Sequence, residues 1–168
     1  MSRRLLRAPA LLIVAALALP SAAVAQGTLH PREGWVIIDT ELAFPDLVDA
    51  TRSAVTEAKM GLVTQASASD GARGQGITIP GNRVIGVYRN DYARRMLEAS
   101  VAAGIEAPIR LYVTENADGT ATLSYKTPSF VFAPYMDEGG DRLKALAAEL
   151  DTVFDAIAQD ATHGDRAQ

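Results

Sequence analysis

Between Ile109 and Thr127 the chain alternates. Ile109, Leu111 and Val113 take turns with Arg110, Tyr112 and Thr114, and Ala121, Leu123 and Tyr125 take turns with Thr122, Ser124 and Lys126. Successive side chains of a strand point to opposite faces, so each run has one apolar and one polar side. For both apolar rows to face one core, Val113 must oppose Leu123. That leaves Ala117, Asp118 and Gly119 as a three-residue loop closed by Asn116 and Thr120. A loop of this length ends in a left-handed residue, and Gly119 stands there. Turn chemistry and hydrophobic pattern select the same register, and a slip of one residue would turn every side chain over. This hairpin commits the chain to an antiparallel sheet with one dry side and one wet side.

Around the hairpin the pattern predicts further elements. Trp35 to Thr40 is aromatic and β-branched, and reads as a first strand. Pro45 suits a first helical turn, and Leu47, Val48, Thr51, Ala54, Val55 and Ala58 recur at helical spacing up to Met60, with Gly61 as the expected left-handed cap. Leu62 to Ser67 reads as a second strand, the glycine-rich Ser69 to Asn82 as a loop, and Val84 to Tyr88 as a third strand. Asn90 is the expected cap of a second helix carrying Tyr92, Met96, Ala99 and Ala103 on one side, stopped by Gly104. Phe130 to Tyr135, bounded by Pro128 and Pro134, reads as extended. Asp141 to Ala161 carries a continuous apolar stripe from Leu143 through Leu150 and Phe154 to Ala158, and reads as the last helix.

Adjacent strands on short links favour antiparallel pairing, and amphipathic helices need a sheet face to cover. The expected fold class is α+β: a two-layer sandwich in which a mainly antiparallel sheet of about five strands has helices packed on one face. A doubly wound parallel sheet is the alternative, which the tight hairpin disfavours.

The first residues carry a different signal. Arg3, Arg4 and Arg7 precede the apolar run Ala10 to Leu19, and Pro20 is followed by the small-residue triplet Ala23, Val24, Ala25. That order is the pattern of a cleavable export signal, and the run is shorter than the ~20 apolar residues of a membrane span. The expected organisation is a signal peptide over 1–25, a flexible lead-in over 26–34, one domain over 35–161 and a flexible tail over 162–168. The expected location is periplasmic or secreted, with no stable membrane anchor after cleavage. Removing 25 of 168 residues leaves 143, enough for one core without staples. With the three arginines gone, 13 basic residues face 20 acidic ones, a net of about −7 that repels phosphate backbones and argues against nucleic acid as a partner.

Little conventional chemistry fits these residues. Cysteine is absent, which excludes thiol catalysis and thiolate metal sites. His30 and His163, the only histidines, fall in the two expected flexible ends, so no metal site and no cofactor is expected. No G-x-S-x-G elbow or phosphate-binding glycine motif is present. Asp39 and Glu41 are the minimum for a carboxylate pair, but two solvated charges at a strand end explain them more simply. Trp35 and most other aromatics are read as core packing.

The stretches Gly74 to Pro80, Gly81 to Asp91, Ala107 to Asn116 and Leu123 to Lys126, with Pro128 and Pro134-Tyr135, resemble the bacterial family called domain of unknown function 302. The resemblance spans roughly Trp35 to Ala158. It implies a compact α+β fold with a mainly antiparallel sheet and self-association, and it transfers no catalytic residue.

The polar side of the hairpin is the candidate site. There Arg110 opposes Lys126, Tyr112 opposes Ser124 and Thr114 opposes Thr122. Two like charges directly across a ladder repel unless an anion or an acid sits between them. Arg110, Tyr112, Ser124 and Lys126 are therefore expected to receive a small anionic molecule or the acidic surface of a second copy in a homodimer, with Arg73 in the glycine-rich loop as a further anion contact. A non-enzymatic binding or interaction module follows. The alternative is an enzyme using carboxylates and tyrosines as acid and base on a small metabolite.

Overall fold

A computed structural model describes residues 29–163. The expected signal peptide, residues 26–28 of the lead-in and residues 164–168 of the tail lie outside the described residues. Five strands and five helices follow in the order β1 (Trp35–Ala43), α1 (Phe44–Glu57), β2 (Gly61–Ala66), α2 (Ala68–Arg73), β3 (Asn82–Tyr88), α3 (Asn90–Ala99), β4 (Ile109–Glu115), β5 (Thr120–Lys126), α4 (Pro128–Phe132) and α5 (Met136–His163). The strands form one sheet in the order β1-β5-β4-β3-β2, every neighbouring pair antiparallel. The chain is an α+β sandwich, as the pattern predicts.

The hairpin sits in the expected register, with Val113 opposite Leu123, Tyr112 opposite Ser124 and Thr114 opposite Thr122. Gly119 has φ 88°, and Asn116 and Thr120 close the loop through Asn116 N donating to Thr120 O at 2.8 Å. Only a residue without a Cβ adopts that φ at no steric cost.

The dry side carries Ile85, Val87, Leu111, Val113, Leu123 and Tyr125, all buried. Against them pack Leu47 and Val55 of α1, Met96 of α3, and Leu143, Leu146, Phe154 and Ile157 of α5, in one continuous cluster. Burying each large side chain contributes roughly 1.5–3 kcal/mol relative to exposure. Tyr125 and Phe154 add a tilted aromatic contact, ring centroids 5.7 Å apart. Both outer strands are irregular: the register of β1 against β5 shifts between Thr40 and Ala43, and that of β2 against β3 between Leu62 and Thr64.

Several expectations need correcting. First, the glycine-rich segment is not all loop: α2 forms there because Ser67 Oγ accepts from Asp70 N at 3.0 Å and caps its start. Second, Phe130 to Tyr135 is helical rather than extended. Thr127 Oγ1 accepts from Phe130 N at 3.3 Å, and Asp151 of α5 accepts from Ser129 N at 2.9 Å and from the Ser129 hydroxyl. A 3-10 turn over Ala133–Tyr135 leads on into α5. Third, a short helical stretch from Met136 precedes the last helix and is parted from it by a break at Gly140 (φ 53°, ψ −146°), so the helix proper starts at Asp141 as expected but continues through His163, two residues into the expected flexible tail.

Fourth, both glycine caps are misplaced. After α1, Met60 N bonds back to Val55 O and the left-handed residue is Lys59 (φ 57°), so Gly61 opens β2 instead. The helix before Gly104 ends at Ala99, where Ser100 turns extended and its hydroxyl accepts from Ala103 N at 3.2 Å. That starts a separate 3-10 turn over Ala102–Glu106, which holds Gly104. Nor does Asn90 cap the helix; it is the first residue within α3, and Arg89 precedes it.

Candidate functional site

Because strands alternate and their pairings line up across the sheet away from the two register shifts, the wet side is built in cross-strand rows. The first runs Trp35, Lys126, Arg110, Gly86, Thr64 from β1 to β2; Trp35 pairs with Lys126, Arg110 with Gly86 and Gly86 with Thr64. The pairing of Leu111 with Tyr125, continued by one residue, brings Lys126 and Arg110 opposite each other. The second row is Ile37, Ser124, Tyr112, Val84, Ala66, and the third Asp39, Thr122, Thr114, Asn82. The wet side is thus striped: a cationic row, a mostly apolar row and a neutral polar row ending in one acid.

Across the first two rows lies an open groove of about 750 Å³, within the usual range of small-molecule sites. Trp35, Lys126 and Arg110 line one end. Tyr112 and Val84 lie along it, and Ala66, Ser67 and Ala68 line the other end with Asn82. Val131 of α4 and Glu106 of the 3-10 turn contribute to the lining as well. Gly86 has no side chain to give, and none fits. A Cβ there would collide with Thr64 Oγ1 and stand 2.9 Å from Pro108 Cγ, so the glycine lets the turn before β4 lie against the sheet.

Arg110 and Lys126 are both exposed and on the same face. Among the described residues neither enters an ion pair; the five that form join other residues. Lys126 Nζ is 5.8 Å and the Arg32 guanidinium 5.0 Å from the centre of the Trp35 ring, so three cations gather at this end. An exposed cation over an indole is attracted by roughly 0.5–1 kcal/mol, which orients Lys126 without neutralising it. Glu106, the one acid among the lining residues, accepts from the Tyr135 hydroxyl through Oε1 at 2.8 Å and forms no ion pair with Arg110 or Lys126. That bond to a carboxylate is the main cause that raises the proton affinity of Tyr135.

The structure brings together three of the five residues singled out from the sequence. Arg110, Tyr112 and Lys126 line the groove. Ser124 is on the same face but fully buried, its hydroxyl 3.4 Å from Tyr112 O, and is not among the lining residues. Arg73 is elsewhere, at the end of α2, pairing with Asp70 at 3.1 Å. Asp39 accepts from Thr122 Oγ1 at 2.7 Å, while Glu41 falls within the irregular stretch of β1, outside regular alternation. Among the described residues no group of three or more His, Asp or Glu side chains stands close enough to hold a metal ion.

Sequence reasoning missed Trp35, Val84, Ala66 and Asn82. Trp35 is on the wet side and Phe130 is exposed, neither in the core as expected, while Tyr92, Tyr125 and Phe132 are buried as expected. A signal was present: in β1 both alternating sets begin apolar, Trp35 and Ile37 on one side and Val36 and Ile38 on the other, more than a solvated face requires.

The fold has a counterpart among solved structures. An uncharacterized conserved protein DUF302 from Bacillus stearothermophilus superposes with a TM-score of 0.68 at 17% sequence identity, covering 77% of this chain and 99% of that one. No curated protein matches the chain. The family model "Domain of unknown function DUF302" matches residues 36–160, nearly the whole described domain, and the chain belongs to that family.

Proposed function

We propose that this domain is a binding module that takes a small organic anion in the groove on its open sheet face. The observation that carries this reading is the juxtaposition of two exposed cations, Arg110 and Lys126, without carboxylate partners at one end of a groove whose length is lined by Tyr112 and Val84. A guanidinium offers a planar fork of donors to a carboxylate, and the ammonium beside it supplies a second charge. The mutual repulsion of the two is relieved when an anion sits between them. The export-signal pattern of residues 1–25 supports placing the domain outside the cytoplasm, where a soluble carrier or sensor of small molecules would work.

The test is calorimetric titration with octanoate and benzoate. Wild type is expected to release heat with a defined Kd, and Arg110→Ala to bind at least tenfold more weakly at unchanged thermal stability. Equal affinity in the two proteins would overturn the assignment of Arg110.

A further inference from the structure

Resting on the anion-binding reading above, we infer that the ligand is an amphiphile: one anionic head group at Arg110 and Lys126, and an unbranched apolar tail running over Tyr112 and Val84 to Ala66 and Ala68. The two ends of the groove differ in what they leave unused. At the cationic end, charge is in excess and has no protein partner among the described residues. At the other end, the polar groups are already engaged with one another. Ser67 Oγ accepts from Asp70 N and bonds Ser69 Oγ at 2.9 Å. Asn82 Oδ1 accepts from Ala68 N at 2.8 Å, and Asn82 Nδ2 donates to Pro80 O at 3.2 Å. Ser69 Oγ in turn accepts from Asn82 N at 3.2 Å. What remains to face a ligand there is the methyl groups of Ala66 and Ala68 and the side chain of Val84.

A second polar group on the ligand would find little at that end beyond the second Nδ2 proton of Asn82, whereas an alkyl segment loses nothing by leaving water. The distance suits a chain rather than a compact molecule. Lys126 on β5 and Ala66 on β2 are three strands apart, roughly 14 Å at ~4.8 Å per strand. The small residues at the far end leave the groove shallow and open, which admits a tail without a fixed stop.

The experiment is calorimetric titration of the full domain with a series of straight-chain carboxylates from butanoate to dodecanoate, each below its micelle concentration. Affinity is expected to rise about threefold to fourfold per methylene until the tail reaches Ala66 and Ala68. Arg110→Ala should weaken every member by a similar factor. Ala66→Asp, on the exposed outer strand, should weaken the long members and spare the short ones. Ala68→Asp gives the same readout at the first residue of α2, where an acid suits a helix start, should the first variant fold poorly. Carboxylates that bind with a Kd independent of chain length, or long members indifferent to both aspartates, would overturn the amphiphile while leaving the anion site standing. If no member binds, both readings fall together.

Discussion

On the covered side of the sheet, Ile85, Leu111, Val113 and Leu123 are fully sealed by α1, α3 and α5; one residue along the same strands, Val84 and Tyr112 stay partly open beside two bare cations. The same strands therefore present two environments, divided by the alternation of their side chains. The covered side is dense and electrically quiet, so its residues determine stability. The open side leaves charge and apolar area unmatched, and natural proteins seldom leave such a combination without use.

The sharpest way to break this comparison is to cut each side and ask which property moves. Phe154→Ala should destabilise the domain by about 3–5 kcal/mol, because a fully buried ring leaves a cavity its neighbours fill only in part. Denaturant unfolding measures this directly, and a loss below ~1 kcal/mol would show that the helical layer is not the structural partner described.

A smaller effect appears at high pH. Burial, with the negative charges of Asp155 and Asp151, pushes the Tyr125 hydroxyl up to about 12. A group whose proton is held more tightly in the folded state contributes its full stabilisation below the unfolded value near 10 and loses it as pH rises through the folded one. Unfolding free energy should thus fall by up to about 2–3 kcal/mol between roughly pH 10 and 12, and Tyr125→Phe should flatten that segment of the profile. A variant with the wild-type slope would assign the alkaline loss to other groups.

The smallest effect, and the most diagnostic of sign, is on the open side. Arg110→Gln removes one of two facing like charges, so it should stabilise the ligand-free domain by a few tenths of a kcal/mol at low salt, the gain fading as salt is added. A loss of stability there would mean that Arg110 is paired in solution, and the two sides of the sheet would no longer differ as described.

How much of this was legible follows from how local each signal is. The hairpin is specified within 19 residues by alternation and one glycine, and the structure reproduces its register residue by residue. The α5 stripe is equally local. By contrast, α4 depends on Asp151, 22 residues from Ser129, to hold its first turn, and nothing in Phe130 to Tyr135 announces that partner. The short α2 lay between these cases. Its Ser67-Ala68-Ser69-Asp70 start is a capping pattern in the sequence, overshadowed by the glycines that follow. The cationic end of the groove was readable from the hairpin alone. Its far end required the pairing of β2 with β3 and β3 with β4, which alternation within single strands does not reveal.

The bulges in the two outer strands carry one more consequence. An unprotected sheet edge invites a neighbouring molecule to add its own strand, the route by which folded proteins are recruited into fibres. Here β1 shifts register before Ala43, and β2, only six residues long, shifts after Leu62, so a foreign strand aligned along either border would lose its hydrogen bonds after a few rungs. The molecule can keep one broad surface bare because its margins are poor templates for polymerisation.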